Sequence, residues 1–124
     1  MESDNRILLA VNGRTLTATL AGNSSAEALR ELLAKGPLTI DMRDYGGMEK
    51  VGDIGMRLPT NDEHITTEAG DLILYTGSAF VIYYAPNSWS FTRLGRIDGV
   101  SAKELKNILG KGHVQVTLSL ETRQ

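Results

Sequence analysis

The chain has 124 residues and a mass of 13.5 kDa, and 41% of its residues are hydrophobic, which is enough to bury a core in one domain spanning residues 1–124. It has no cysteine, so disulfides and thiolate-bound metals are excluded. A net charge of −2 from intermixed acids and bases offers no basic field for nucleic acid. No apolar run suits a signal peptide or a membrane span, and we therefore expect a cytoplasmic protein.

The chain opens with a predicted β-hairpin followed by a helix. Asn12-Gly13 readily takes the positive φ values of a type I′ turn, and it separates two apolar segments of strand length. Ser24 and Glu27 form a capping-box pattern ahead of leucines at helical spacing, and Gly36 then supplies a stop. The pattern therefore predicts a hairpin and a short amphipathic helix.

The next part of the chain is predicted to hold a strand, a return strand and a loop. Apolar and polar residues alternate from Leu38 to Met42, which predicts a strand running to Tyr45. Met48–Val51 is expected to pair back on it. Residues 52–70 are polar and interrupted by glycine and proline, so we expect a long surface loop that contains at most one short strand.

Two apolar segments after this loop predict the central strands. Leu72–Tyr75 and Ala79–Tyr84 are nearly continuous apolar runs, as expected for strands that are covered on both faces or form a tight barrel wall. Trp89, Phe91 and Arg93 then share one face of the following strand, because side chains alternate along a strand.

The last part of the chain is predicted to form a second helix and a closing strand. Ser101 and Glu104 repeat the capping-box pattern, and Val114–Leu120 alternates strictly. If the final strand pairs with the first hairpin, the sheet loses its exposed edges. We therefore predict a mainly β protein, a closed β-barrel with two short helices.

This order of elements resembles the cyclophilin barrel, and local motifs support the resemblance. Cyclophilins carry S-Q-F-F-I, then a tryptophan, then F-G-[KR]-[VI] before an acidic residue and glycine. The corresponding residues here are Ser78–Ile82 (SAFVI), Trp89 and Leu94–Gly99 (LGRIDG). The resemblance implies a cyclophilin-like closed barrel.

The chain looks most like the compact bacterial cyclophilin-like domains. That family has E-K-x-G-D near its middle, A-G-D-hydrophobic before its central strands, and [YF]-T-R-[IL]-G-R-I towards its end. The chain carries Glu49–Asp53 (EKVGD), Ala69–Leu72 (AGDL) and Phe91–Ile97 (FTRLGRI) in the same order. The resemblance therefore covers nearly the whole chain.

The resemblance implies less about activity than about fold. Prolyl isomerase cyclophilins carry F-H-R-x-I-x-x-F-x-x-Q-G-G-D, and this chain does not. Arg43 is the one candidate for the position of that arginine. Phe80, Met56 and Trp89 are candidates for an apolar pocket that would hold a proline ring, with Arg43 or Arg93 as donor, although burial of both aromatic rings in the barrel core is the favoured interpretation.

Arg93 needs a partner because it shares a strand face with two aromatic residues. Glu49 and Asp53 are the expected carboxylates, in either a structural or a ligand-binding ion pair. One or two of the strand tyrosines, Tyr75, Tyr83 and Tyr84, are expected to open into a groove on the barrel wall, and Tyr75 is the one included among the predicted ligand-binding residues. Asp62-Glu63-His64 is a poor set of metal ligands because adjacent loop residues rarely converge on one ion, so we expect no metal and no cofactor.

The leading hypothesis is a cyclophilin-like domain that binds a small molecule or a short peptide in a surface groove, without efficient isomerase activity. The predicted ligand-binding residues are Arg43, Glu49, Tyr75, Phe80 and Arg93. Two alternatives stay open: a divergent prolyl isomerase that uses Phe80 and Arg43, and a structural or oligomerisation module. Nucleic acid and membrane are not expected partners.

Overall fold

The computed structural model of the chain describes residues 5–47 and 49–120. Two helices and nine strands form within these residues. In chain order they are β1 (Arg6–Val11), β2 (Arg14–Leu20), α1 (Ser24–Ala34), β3 (Leu38–Tyr45), β4 (Glu49–Asp53), β5 (Glu63–Thr66), β6 (Asp71–Tyr75), β7 (Ala79–Tyr83), β8 (Ser88–Ile97), α2 (Ala102–Leu109) and β9 (Val114–Leu120).

Eight of the strands close into an antiparallel barrel. The strand order is β2-β1-β9-β3-β4-β7-β6-β8, and β2 pairs with β8 to complete the circle. The predicted pairing of the final strand with the opening hairpin is confirmed, with Leu9 opposite Leu118. β5 lies outside the circle and pairs only with β8. The predicted closed β-barrel with two short helices is therefore confirmed.

The barrel can close because β8 carries a glycine where it meets β2. Gly95 lies opposite Leu20 on one side and Leu72 on the other. A Cβ atom at Gly95 would clash with the Thr19 carbonyl oxygen, so no other residue fits without moving the backbone. Gly95 thus lies at the seam where the barrel closes.

The two helices lie at opposite ends of the barrel, because α1 follows the end of β2 and α2 lies beside the turn at its start. There Asn12 Nδ2 donates to the Ile108 carbonyl oxygen at 2.7 Å. The capping box predicted for α2 is present, with Ser101 and Glu104 bonded reciprocally. The N-cap of α1 was predicted at Ser24 but lies one residue earlier, at Asn23. The side chain of Asn23 accepts a hydrogen bond from Ala26 N.

Side chains from both faces of the barrel wall are buried. The inner core fills the barrel and includes Phe80, Ile82 and residues from both helices. A second, outer cluster lies on the outside of β4, β7, β6 and β8 and consists of five buried residues with Val51 packed against them. The five are Ile65, Ile73, Val81, Tyr83 and Phe91. β6 and β7 are covered on both faces, as their continuous apolar sequences predict.

The segment predicted as a long loop contains more pairing than expected. Its start belongs to β4, which runs to Asp53, and its middle forms β5, the short strand that the sequence allowed. Ile65 of β5 faces Trp89 of β8 and joins the outer cluster. No helix within the described residues combines the length and the apolar character needed to cross a lipid bilayer.

Candidate binding pocket on the outer wall

A pocket of about 310 Å³ opens on the outer face of the barrel, beside the outer cluster. We call it the aromatic pocket. It is lined by Tyr45, Glu49, Val51, Tyr75, Val81, Tyr83, Asn87, Trp89 and Phe91. Five of these nine side chains are aromatic, and one is charged. A mostly apolar concavity with a few convergent polar groups is the usual form of a small-molecule site.

Strand register places these side chains on one face. Glu49 of β4 lies opposite Tyr83 of β7, and Val51 lies opposite Val81. On the other side of β7, Val81 faces Ile73 of β6. Since side chains two residues apart share a face, the pocket is the product of alternation across β4, β7 and β6, extended by β8.

The rim of the pocket exposes unusual amounts of aromatic surface. Tyr45 is 65% exposed, Trp89 58% and Tyr75 41%. Phe91 lies below them, with its ring centroid 6.2 Å from that of Tyr75 and 5.6 Å from that of Tyr83. The pocket thus has a rigid aromatic base and a solvent-facing aromatic rim.

Among the described lining residues, the one charged group is a largely buried carboxylate. Glu49 is 8% exposed, and burial raises its pKa, although a hydrogen bond from the Tyr83 hydroxyl opposes that shift. Asn87 Nδ2 donates to the Tyr83 oxygen at 3.1 Å, which leaves the hydroxyl proton free to point at Glu49. Burial also raises the pKa of Tyr83, so this phenol stays protonated as a donor.

Asn87 is itself held in place by the segment before β6. Its backbone N–H donates to Thr67 Oγ1 at 2.9 Å, and the Thr67 hydroxyl lies 3.2 Å from the Asn87 carbonyl oxygen. Thr67 is fully buried. This series of hydrogen bonds, from Thr67 through Asn87 and Tyr83 to Glu49, therefore fixes the orientation of the carboxylate.

A second concavity, of about 380 Å³, lies on the same wall beyond Val51. We call it the polar groove. Its lining is Asp41, Met42, Arg43, Val51, Gly52, Asp53, Ser78, Ala79 and His113. Val51 lines both sites, so the two are neighbours. The groove lacks the aromatic surface of the first pocket.

The predicted site residues are divided among different parts of the molecule. Glu49 and Tyr75 come together in the aromatic pocket, whereas Arg43 lies in the polar groove. The prediction that Phe80 lines the pocket is wrong, because its side chain points into the inner core and has 0% exposure. The isomerase alternative that joins Phe80 to Arg43 therefore lacks an accessible ring at that position.

The predicted partner of Arg93 was also wrong. Its Nη2 lies 3.3 Å from Asp71 Oδ2, and Arg96 Nε donates to Asp71 Oδ1 at 2.8 Å. Neither Glu49 nor Asp53 is its partner. Asp71 is fully buried, so the two arginines neutralise a carboxylate at the start of β6. Arg93 lines neither concavity, and its role in ligand binding stays a prediction.

The expectation for Trp89 is reversed. Burial in the core was favoured, but Trp89 lies on the pocket rim, while Met56 is exposed and outside the lining. Sequence reasoning also missed Tyr45 and Asn87. The alternation of β7 was a usable signal for Tyr83, since it puts this ring on the face opposite to Phe80.

Lys50, next to Glu49, faces the other way. Its ammonium group is buried at one end of the barrel, 3.0 Å from Asp44 Oδ1, and donates to the Gly112 carbonyl oxygen at 2.7 Å. Tyr84 donates to the same carboxylate at 2.8 Å. Burial opposes ionisation of Asp44, but the bonds from Lys50, Tyr84 and Gly112 prevail and lower its pKa. This network is structural and separate from the pocket.

Among the described residues, the lining of the aromatic pocket offers ring faces, a carboxylate and a phenol, and it includes no serine, lysine or histidine. Among residues 5–47 and 49–120, no three His, Asp or Glu side chains converge as metal ligands. The buried carboxylate is the group that can accept a hydrogen bond, pair with a cation or exchange a proton.

Comparison with known proteins agrees with this fold. The solution structure of the hypothetical protein AF2241 from Archaeoglobus fulgidus superposes with a TM-score of 0.66 at 15% identity, over 96% of both chains. The structure of McbB in complex with tryptophan superposes with a TM-score of 0.63 at 15% identity, over 95% of this chain and 45% of McbB. The chain thus spans less than half the length of McbB.

The sequence itself places the chain in a family. No curated protein sequence matches it. The model of the Cyclophilin-like family matches residues 9–120, which is nearly all of the barrel together with both helices. The resemblance that the sequence motifs indicated is thereby confirmed, and the chain belongs to the Cyclophilin-like family.

Proposed function

We propose that this cyclophilin-like domain binds a small organic molecule in the aromatic pocket. One observation carries the proposal. Among the described residues, four large hydrophobic side chains are exposed, and three of them, Tyr45, Tyr75 and Trp89, surround this one pocket. Clustered exposed apolar surface next to a formed concavity marks an interaction site, since scattered exposure needs no such explanation.

The comparison with McbB supports the class of ligand. That structure was determined in complex with tryptophan, a small molecule with a flat aromatic ring. A ring of this kind matches the aromatic base and rim of the pocket, because offset and edge-to-face ring contacts are favourable beyond their burial. A pocket near 310 Å³ has the size of a site for a small molecule.

The test is a binding experiment read by NMR amide shifts, with tryptophan and a set of small aromatic compounds as first probes. The expected shifts cluster on β4, β6, β7 and β8 around the pocket. Trp89→Ala should weaken binding about tenfold or more, since it removes a ring from the rim. Met56→Ala is the matched control, because Met56 is exposed but lies outside the lining.

The same samples separate the other interpretations. Shifts confined to the polar groove, or no shifts with any probe, would contradict the proposal. Shifts that depend on protein concentration without ligand would favour the oligomerisation alternative. Catalysed exchange of Xaa-Pro peptides, lost in Arg43→Ala, would favour the isomerase alternative.

A further inference from the structure

Resting on the proposed function, we infer that the aromatic pocket selects small amines: ligands that carry an ammonium group on an apolar or aromatic body, with the Glu49 carboxylate as counter-ion. The site combines two features, a desolvated carboxylate and exposed aromatic ring faces around it. Each feature favours a positive charge, and neither favours an anion.

The Glu49 carboxylate is not paired with a cation by any residue that the structure describes. Among residues 5–47 and 49–120, no Lys, Arg or His side chain lies within ion-pair distance of Glu49. Two cationic residues could have been expected to pair with Glu49, but both pair with other carboxylates. Lys50, its neighbour in sequence, pairs with Asp44, and Arg93 pairs with Asp71. The Tyr83 hydroxyl is the hydrogen-bond partner that the described residues provide. A buried carboxylate normally has a cationic partner, so a ligand ammonium group would supply what the fold omits.

The rings add a second attraction for the same charge. An ammonium group within about 6 Å of an aromatic ring centroid is attracted by the ring face. Tyr45, Tyr75 and Trp89 line the pocket together with Glu49 and keep much of their surface open to solvent. A cation at Glu49 would therefore be bounded by aromatic groups, while the apolar body of the ligand would cover the exposed rim.

The size of the site favours a free amine over a chain segment. A pocket of about 310 Å³ is at the lower end of the range for small-molecule sites. The neighbouring polar groove, which a longer peptide would also cover, is lined by Asp41, Arg43 and Asp53, and its described lining includes no Phe, Tyr or Trp. We therefore assign the pocket to an amine of the size of one aromatic ring with a short arm.

Three probes that share a phenyl ring test the inference: phenethylamine, phenethyl alcohol and phenylacetate. Trp89 is the single tryptophan of the chain and lies on the rim, so its fluorescence reports binding without interference from a phenyl ring. Near neutral pH we expect the amine to bind about tenfold or more tighter than the alcohol, and the carboxylate to bind weakest. NMR shifts on the pocket residues would locate the binding.

Glu49→Gln is the decisive variant, since it keeps shape and hydrogen bonding but removes the charge. The amine should lose its advantage and bind like the alcohol. Glu31→Gln, an exposed residue of α1 outside the pocket lining, makes the same change in net charge and should leave the order intact. The order among the three probes in the unchanged protein tests the inference even if Glu49→Gln unfolds.

The outcomes separate this inference from the proposed function. Equal binding of the three probes in the pocket, or preference for phenylacetate, would overturn the selection of amines but leave a small-molecule site. No binding of any phenyl or indole probe would overturn both. The inference would also be overturned if a phenylalanyl peptide with a free N-terminus bound and phenethylamine did not. The pocket would then recognise the ammonium group only as part of a peptide.

Discussion

The inner core and the outer cluster are built from the same strands but are completed in different ways. On β7, Phe80 and Ile82 point inwards and have no exposed surface, while Val81 and Tyr83 point outwards. Inside, strands and helices from the whole chain meet, so the core is filled. Outside, β5 is the cover that the described strands provide, and aromatic surface stays open. Burial inside the wall therefore serves stability, whereas the incomplete cover outside leaves an open pocket.

The two phenylalanines of the chain, one on each side of the wall, make the sharpest test of this difference. Phe80→Ala should lower the free energy of unfolding by about 3–5 kcal/mol, because a filled core cannot collapse around the cavity. Phe91→Ala should cost clearly less, since its site borders an open pocket, but should change Trp89 fluorescence. Urea denaturation measures both, and equal losses would contradict the division into two regions.

The next largest loss of stability is expected from a substitution at the seam where β2 and β8 close the barrel. Gly95→Ala should cost about 1–3 kcal/mol, because a Cβ atom there clashes with the Thr19 carbonyl oxygen. Gly22→Ala is the control, since a Cβ atom at Gly22 meets nothing within 4 Å and this glycine has no left-handed φ. We expect that variant to stay within about 0.5 kcal/mol of the parent. Thermal unfolding compares them, and an undisturbed Gly95→Ala barrel would mean that β2 and β8 do not meet as described.

The ion pair of Arg93 separates a structural arginine from a ligand-binding one. Arg93→Met should cost about 1 kcal/mol or less, because Arg96 still neutralises Asp71 and the pair is partly exposed. Phenethylamine binding should not change. Arg43→Met, at an exposed position of the polar groove, should leave stability within about 0.5 kcal/mol of the parent. Loss of amine binding in Arg93→Met alone would restore Arg93 to the site.

The smallest expected effect is the pH dependence that Glu49 contributes to stability. Burial raises its pKa in the folded protein, so the folded state holds the proton at higher pH than the unfolded chain does. The parent should therefore lose stability as pH rises through the folded-state pKa, and Glu49→Gln should be the more stable protein above it. The difference should vanish below the ordinary pKa of glutamate. Thermal melts across this pH range measure the effect.

Asp44, which pairs with the buried Lys50 at one end of the barrel, provides the opposite case. Its pKa is lowered by the bonds that outweigh its burial, so its contribution is present above the ordinary pKa of aspartate and is lost as pH falls through the folded-state pKa. Asp44→Asn should therefore be less stable than the parent at neutral pH, with the gap closing in acid. A stability gain for Asp44→Asn at neutral pH would contradict the network.

Much of the fold could be predicted because local patterns and tertiary structure agree. The Asn12-Gly13 turn, the capping box of α2 and the strict alternation of β9 each specify an element from a few neighbouring residues. The first cap was displaced to Asn23 because Ser and Asn are similar N-cap residues, and local sequence does not choose between adjacent ones. The family resemblance that the motifs indicated was confirmed over residues 9–120.

The candidate site could be predicted only in part. Glu49 and Tyr75 do line the aromatic pocket. Phe80 was assigned to the wrong side of the wall, because β7 is apolar on both faces and its sequence does not show which face is the inner one. Arg93 was given the wrong partner because Asp71 lies on a neighbouring strand whose register includes an irregularity between Leu72 and Ile73.

Local chemistry in the chain was sufficient to specify strands, turns and helices, since turn residues, caps and periodicity act over a few positions. The tertiary structure decided which face of each strand became the outside, and so brought Glu49, Tyr83 and Trp89 to one pocket while turning Lys50 and Phe80 inwards. The reason is physical: the barrel closes through strand pairings between residues far apart in sequence, and those pairings alone set which side chains share a surface.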